Sequence, residues 1–497
     1  MPKTQKYETD LAIIGAGGAG ICAGIEALDA GAGVTAFELA AEPGGAAKIS
    51  GGGCMIVDTP LQAAKGIKDN PDLAFKDWME WGGIAADGVW ARYYIEHSLY
   101  DLYHWAENLG VKWDMIRQQE GNSVGRWHRA EGGGAGLMTH LIAAFEDRGG
   151  KIVTDAEITS LTENKGRVIG GKGKDTASGA VIQFTARTVL VTAGGFSSNL
   201  DMVLQYRPEL ANGKVLEGSG PGSVGNGHRM VKEVGGYLTH MDQIWFYVYA
   251  TPDHLDPEGR RGLAFRMAPG YIWVNQEGRR FHNEALSGGN SGSLAVMAQN
   301  PRHAWAIMDK VILDGLEVAD PYYRQEDQAD TKRLAALYLD SPYVHSAGSM
   351  AELAGLIGVD TKTFLGTVDQ YNAAFDHGLE KEPEFGKPLG MSKKFDTPPF
   401  TAVQIFPLAR KNFGGIKTDL QCRVLDKHFE PIVGLYAAGE AAGMAGGHIN
   451  GSAGLEGTML GPSLFSGRVA GGWAAAESGH GNGFKGTPNR DRDDSED

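Results

Sequence analysis

The chain alternates short apolar runs with longer stretches in which apolar residues recur at helical spacing. Asp10–Ile14 ends in the unbroken apolar run Leu11-Ala-Ile-Ile14 and reads as a strand. Gly17–Ala30 reads as a helix, and Gly33–Glu38 as the next strand, which makes a βαβ unit. Residues 61–150 have a largely helical pattern rich in aromatics, among them Trp78, Trp81, Trp90, Tyr94, Tyr103 and Trp113. Lys151–Val153 and Thr188–Thr192 read as further strands. The second opens into the turn Val191-Thr-Ala193-Gly194-Gly195-Phe196. From Asp242 to Pro399 the pattern changes to mixed strand and helix signals, with a glycine-poor helix expected over Thr331–Leu339. Strands and glycine turns return from Gly414. The pattern predicts an α/β protein with an α+β cap. One domain is built from both chain ends, 1–240 and 405–477. A second domain, 241–404, is inserted, and 478–497 forms a disordered acidic tail.

Between the first strand and the first helix lies Gly15-Ala-Gly17-Gly18-Ala19-Gly20. Glycines there permit a tight turn and let the backbone approach a pyrophosphate, whose charge the helix N-terminus favours. Glu38, at the end of the second strand, suits the two hydroxyls of a ribose and rejects a 2′-phosphate. Strand, turn, helix and acid together point to a dinucleotide, with Leu39 beside the acid.

A nicotinamide dinucleotide needs no second glycine-serine loop, yet one follows at Gly44-Gly45-Ala46-Ala-Lys-Ile-Ser50-Gly51-Gly52. A flavin extends beyond the pyrophosphate and does need one. Ala193-Gly194 and the late Gly439-Glu440 end strands in the same manner, and Glu440 suits the ribityl and pyrophosphate groups. Gly457-Thr458-Met459-Leu460 suits the pyrimidine edge of the ring, where amides at a helix end stabilise negative charge. The expected cofactor is FAD, held by both ends of the chain.

Composition narrows the class. The 497 residues exceed one ordinary domain, and a net charge of −15 argues against nucleic acid as partner. No run approaches the roughly 20 apolar residues of a membrane span, and the short polar N-terminus predicts no signal peptide. Three cysteines form no disulfide framework or metal spacing, so no metal and a cytoplasmic location are expected. The 73 glycines fall in clusters, such as Gly132-Gly133-Gly134 and Gly446-Gly447. They either press backbone against a large ligand or fill loops.

These motifs resemble the flavoprotein superfamily of fumarate reductase and succinate dehydrogenase flavoprotein subunits, which includes the 3-ketosteroid dehydrogenases. The resemblance covers residues 8–475. It is carried by Gly15–Gly20 with Glu38, His128-Arg129, Val191–Phe196 and Val274–Glu284. Phe413-Gly414-Gly415, Gly434–Glu440 and Ser466-Gly467-Arg468 complete it. It implies a Rossmann-like FAD domain with an inserted capping domain and the active site between them. Some members attach FAD through a histidine in the second glycine loop. Residues 44–53 contain none, so FAD is expected to be non-covalent.

The chain departs from the reductases where they clamp a dicarboxylate. Aligned on the same motifs, Gly288 and Gly454 stand where the resemblance implies arginines, and Arg410-Lys411 stand where it implies a histidine pair. The ketosteroid branch works without those arginines. In it a tyrosine takes the proton α to a ketone, donors polarise the ketone oxygen, and a hydride passes to the flavin. Tyr247 and Tyr249 are candidates for base or donor, or for apolar pocket wall. His448 and Asn450 replace that branch's second tyrosine, and His448 is either a donor or acid or a structural histidine. Arg410 and Lys411 are candidates for binding a carboxylate or stabilising an enolate, or are solvated charges. Arg266 matches an arginine of a proton-delivery chain.

The expected reaction is α,β-dehydrogenation of a small-molecule carbonyl substrate, a cyclic ketone, with a quinone-like acceptor or oxygen receiving the electrons. The alternatives are an enoate or enone reductase and a non-catalytic flavoprotein subunit.

Overall fold

The computed structural model describes residues 3–218, 220–266, 270–286, 291–318, 320–325, 328–390 and 392–488. The chain forms two compact units. The first comprises Met1–Met202, Ser219–Ile244 and Lys411–Asp497, and the second Val203–Gly218 and Trp245–Arg410. Residues 203–218 therefore fall in the second unit, where the sequence reading set them in the first. The cause is the short strand Leu216–Glu217, which pairs in parallel with Phe400–Asn412 through Leu216 and Leu408.

The first unit is organised by five parallel strands. Thr4–Ile14 lies between Val34–Phe37 and Val181–Val191, with Ile14 level with both Phe37 and Val191. Lys151–Val153 continues the sheet beyond Val34–Phe37, and Pro431–Ala437 continues it beyond Val181–Val191. All five strands end on one edge, at Ile14, Phe37, Val153, Val191 and Ala437. Ligands of open α/β sheets bind at that carboxyl edge. Strands Ala156–Asn164 and Arg167–Asp175 form an antiparallel meander into Val181–Val191.

Two helices cover this sheet, Gly18–Asp29 from the N-terminal end of the chain and Leu460–Glu477 from the C-terminal end. They touch backbone to backbone. A Cβ on Gly467 would lie 2.2 Å from the Ala19 carbonyl oxygen, and one on Gly471 would lie 2.1 Å from that of Ala23. Pairs of small residues four apart on each helix permit this approach. It explains why the late Ser466-Gly467-Arg468 motif accompanies the early glycine turn.

The region 61–150 contains the expected helices, including Pro71–Gly82, Gly88–Ser98 and Gly133–Asp147. It also holds two strands that the helical pattern hid. Trp113–Arg117 and Trp127–Ala130 form a three-stranded antiparallel sheet with Gly53–Met55. These strands are short and mix aromatic with charged residues, so neither period stands out. The tail departs from the expected disorder over its first part. Phe484 is buried against Phe465, with the Arg468 guanidinium over its ring, and the Thr487 amide donates to Asp101 Oδ2 at 2.8 Å. The remainder of the tail lies outside the described residues.

The second unit is built on Phe400–Asn412, which pairs antiparallel with Ala304–Met308 and Val344–Ala347. Its sheet extends through Ile272–Val274 on one side and through Ile244–Pro252 and Gly262–Arg266 on the other. The expected helix appears as Thr331–Asp340, capped by the Asp330 carboxylate. The conspicuous Val274–Glu284 segment has a structural role here. Arg280 is 3 % exposed and Glu284 fully buried, and they form a two-point ion pair at 2.9 and 2.7 Å. Arg280 also reaches Glu382 at 2.8 Å, and the buried Lys387 lies 3.7 Å from Glu284. Two cations and two anions thus neutralise one another inside the unit.

Candidate active site

Gly15, Glu38, Ala193 and Gly439, which follow strand ends, lie at the carboxyl edge of the parallel sheet. Gly15, with φ +104°, turns the chain tightly under Thr192, whose hydroxyl donates to the Gly15 carbonyl at 2.8 Å. A Cβ on Gly15 would lie 2.5 Å from the Thr192 oxygen, and one on Gly20 would lie 2.1 Å from the Gly15 oxygen. Gly17 caps the helix Gly18–Asp29 without a side chain, and nothing lies within 4 Å of where its Cβ would stand. The start of that helix at Gly17 therefore borders open space suited to a pyrophosphate.

Glu38 ends the second strand, buried at 9 % exposure. Its Oε2 accepts from the Ala16 amide at 2.8 Å and its Oε1 from the Ala40 amide at 2.9 Å. Leu39 lies between this acid and Ala40 in the chain. Each oxygen keeps a further lone pair, which suits two ribose hydroxyls.

The second glycine loop is tied to the first. The Gly44 amide donates to the Ala16 carbonyl at 2.9 Å, and a Cβ on Gly45 would stand 3.3 Å from Gly17 Cα. Ala46 follows in the same short helix, Gly45–Ile49. The Ser50 hydroxyl donates to Ala47 and accepts from the Gly52 amide, so it shapes the loop. Gly52, at φ +73°, packs on Gly133 and Gly134, and Gly51 is exposed. Across the edge, Ala193 and Gly194 follow Val191 and are half-buried.

The C-terminal part completes this cradle. Gly439 has φ +67°, and its amide donates to Ser466 Oγ at 3.1 Å. Glu440 follows it, 10 % exposed in its side chain. The Gly457 carbonyl accepts from the Met55 amide at 3.1 Å. Thr458 is buried, its hydroxyl donating to Leu455 at 2.7 Å. Met459 caps the helix Leu460–Glu477 without a side-chain hydrogen bond, and the Gly461 amide donates to the Gly457 carbonyl at 3.2 Å. Glycines where a side chain would fill the cradle, an acid with spare acceptor capacity and two uncapped helix starts fit FAD. Among the described residues no group of His, Cys, Asp or Glu has the arrangement of a metal site.

The candidate chemical groups are distributed over both units. In the second, Arg410 donates to the Gly218 carbonyl and its guanidinium carbon lies 5.5 Å from the Tyr247 ring centroid. Tyr247 also meets Trp245 edge-on at 5.2 Å. The side chains of Tyr249 and Arg266 lie outside the described residues, as does Gly288. In the first unit, Lys411 Nζ lies 3.8 Å from Glu440 Oε2. Arg410 and Lys411 are thus drawn to separate partners, not set side by side as solvated charges.

His448 donates from Nδ1 to the Ala85 carbonyl at 2.9 Å, which leaves Nε2 to accept from Lys417 Nζ at 3.3 Å. Its ring stacks on His240 at 4.1 Å. Burial and the nearby Lys417 hold its pKa below the usual histidine value. Both nitrogens are engaged, the arrangement of a histidine that fixes its loop. Asn450 is fully buried and donates to the Thr458 carbonyl at 3.2 Å, while its Oδ1 has no protein partner. A Cβ on Gly454 would stand 3.0 Å from the Phe413 ring, so this position is packed and bears no cation.

Sequence reasoning missed Asn412. It is fully buried, and it joins the turn after Val191 to Glu440. A polar residue directly before Phe413-Gly414-Gly415, at the end of a strand, was the available signal.

A parallel sheet with glycine turns and an acid at its carboxyl edge, and an inserted second unit, fits a flavoprotein. The chain belongs to the FAD binding domain family, which matches residues 10–460. It is 29 % identical over 474 residues to a fumarate reductase (cytochrome) of Shewanella frigidimarina, covering 94 % of this chain and 77 % of that one. It is 27 % identical to a KsdD-like steroid dehydrogenase of Mycobacterium tuberculosis, covering 94 % and 96 %. Among solved structures it is similar to a 3-ketosteroid Δ4-(5α)-dehydrogenase of Rhodococcus jostii, with TM-score 0.71, 26 % identity, and 94 % and 97 % of the two chains covered. The protein is an FAD-dependent oxidoreductase of the fumarate reductase and ketosteroid dehydrogenase family. None of its described helices is long and apolar enough to cross a membrane.

Proposed function

We propose that this enzyme introduces a carbon–carbon double bond next to the carbonyl of a cyclic ketone, with FAD bound non-covalently. The observation that carries this reading is Gly454, packed on Phe413 where the resemblance implies an arginine that grips a dicarboxylate. Without that cation a substrate with two carboxylates loses a principal anchor, whereas a neutral ketone needs only hydrogen-bond donors and an apolar wall. The relative named as a steroid dehydrogenase, of which the chain covers 96 %, supports the same class.

When bound, FAD supplies a hydride acceptor. The residues of the chain supply the rest. Tyr247 is the proposed base or donor, its ring held between Trp245 and the Arg410 guanidinium. Arg410 is itself anchored on the Gly218 carbonyl, which orients the phenol and costs no reorganisation during the reaction. Tyr249 is the second proposed phenol. His448 and Asn450 support the loop that leads to Thr458. A quinone-like compound or oxygen is the proposed final acceptor. The reverse reaction, reduction of an enone or enoate, would use the same groups.

Anaerobic titration with saturated cyclic ketones tests the direction. Bleaching of the oxidised flavin is expected. Failure to bleach, with reoxidation of the reduced enzyme by an enoate, would assign the reductase reaction instead. Tyr247→Phe should lower turnover by about 100-fold or more while the flavin spectrum is retained. Undiminished turnover would remove Tyr247 from the proposed site.

A further inference from the structure

We propose that Lys411-Asn412 is a clamp that positions the Glu440 carboxylate for the cofactor, so that the Lys411 charge serves FAD binding and not the substrate. The proposal rests on the placement of Glu440 in the FAD cradle. Both carboxylate oxygens face this dipeptide. Oε1 accepts from the Asn412 amide at 3.3 Å, and Oε2 lies 3.8 Å from Lys411 Nζ. The Asn412 side chain fixes the backbone around the same acid. Its Nδ2 donates to the Glu440 carbonyl at 3.3 Å and to the Gly414 carbonyl at 2.9 Å. Its Oδ1 accepts from the Phe196 amide at 3.0 Å.

One buried carboxamide thus joins three segments. They are the turn after Val191, the end of the strand Phe400–Asn412, and the turn after Ala437. The glycine at 195 belongs to the same device. A Cβ there would lie 1.9 Å from Asn412 Oδ1 and 2.6 Å from Glu440 Oε1. Any side chain at 195 would therefore displace both the clamp and the acid it holds.

A carboxylate with one backbone donor and one ammonium on the protein side is fixed in direction. Its remaining lone pairs are directed to a hydroxyl-bearing ligand such as the ribityl chain. Lys411 and Asn412 act through Glu440 and are positioning residues. The arrangement also bears on the substrate class, since a cation matched to Glu440 is not available to neutralise a substrate carboxylate.

The test titrates the deflavinated full-length chain with FAD and follows the quenching of flavin fluorescence. Glu440→Gln and Lys411→Met should each raise the FAD dissociation constant about tenfold, the change that corresponds to 1.4 kcal/mol. The double variant should bind no worse than Glu440→Gln alone, since Lys411 acts only through that acid. Lys411→Arg should restore most of the affinity. Asn412→Ala should weaken FAD binding as well. If it fails to fold, the half-buried Lys411 series decides the matter by itself. Unchanged FAD affinity in Lys411→Met, with a raised KM for carboxylate-bearing ketones, would overturn the clamp and assign Lys411 to the substrate. Unchanged affinity in Glu440→Gln would instead overturn the placement of Glu440 in the cradle.

Discussion

Gly20, Gly467 and Gly471 in the first unit and Arg280, Glu284, Glu382 and Lys387 in the second are all buried, and they secure their units by opposite means. The glycines act by having no side chain, because the Gly15, Ala19 and Ala23 carbonyls occupy the space a Cβ would take. The four charged residues act through their side chains, each compensating another in a dry interior. The first arrangement packs the helices Gly18–Asp29 and Leu460–Glu477 backbone to backbone. The second offers no free valence to a ligand. A cluster of charges is therefore a poor guide to the chemistry of this chain, while its glycines are a better one.

The largest effect should come from breaking the charged cluster. Arg280→Met leaves Glu284 and Glu382 buried with only Lys387 as counter-charge. Removing one partner of a buried ion pair costs about 3–5 kcal/mol. Glu284→Gln should cost less, because an amide oxygen still accepts from the Trp273 amide, now 3.0 Å from Glu284 Oε1. The denaturant midpoints of the two variants check the order. A mild Arg280→Met would show that water or rearrangement relieves the cluster.

The glycines allow a sharper division. Gly467→Ala drives a methyl group into the Ala19 carbonyl and should cost about 1–3 kcal/mol of stability through overpacking. It should also weaken FAD, because the helix Leu460–Glu477 would have to shift. Gly17→Ala meets no protein atom within 4 Å and has an ordinary φ of −79°. Its apoprotein should melt like the wild type while its FAD affinity falls. Equal FAD binding in Gly17→Ala would mean that the pyrophosphate lies elsewhere.

The sequence made the first unit legible because its rules are local. A glycine turn between strand and helix, with an acid at the next strand end, implies a pyrophosphate and a ribose without knowledge of distant contacts. The expectations for Glu38, Gly45 and Gly457 came from the same local signals. Asn412 and the Gly467–Ala19 crossing were not legible, since both depend on pairs of residues far apart in the chain. The strands Trp113–Arg117 and Trp127–Ala130 were hidden because a three-stranded sheet of short strands lacks a clear period. The roles of Arg410 and Lys411 stayed open because adjacent cations on a strand face opposite ways. Only structure distinguishes a cation on Tyr247 from one on Glu440.

pH separates the two units in a third way, with the smallest effects. In the first unit His128 is fully buried, accepting from Thr59 Oγ1 at 2.7 Å and donating to the Arg126 carbonyl at 2.8 Å. Burial lowers its pKa to about 4, and burial does the same to His228. Between the ordinary value of 6.5 and about 4 the unfolded chain binds the proton and the folded chain does not. Stability is therefore lost as pH falls through that window, by up to about 3 kcal/mol per histidine. His128→Asn should flatten part of that acid limb. In the second unit, burial lowers the Lys387 ammonium to about 8 from 10.5, against the pull of Glu284. The unfolded chain again binds more protons between those values, so stability should rise from pH 8 towards 10, by about 2 kcal/mol. Above pH 10 buried phenols such as Tyr371, raised by burial to about 12, oppose further gain. Denaturant midpoints across pH 4–10 for wild type, His128→Asn and Lys387→Met check both slopes. An alkaline rise that survives Lys387→Met would show that this amine keeps its proton inside the cluster, and that the charges of the second unit are matched as closely as the glycines of the first.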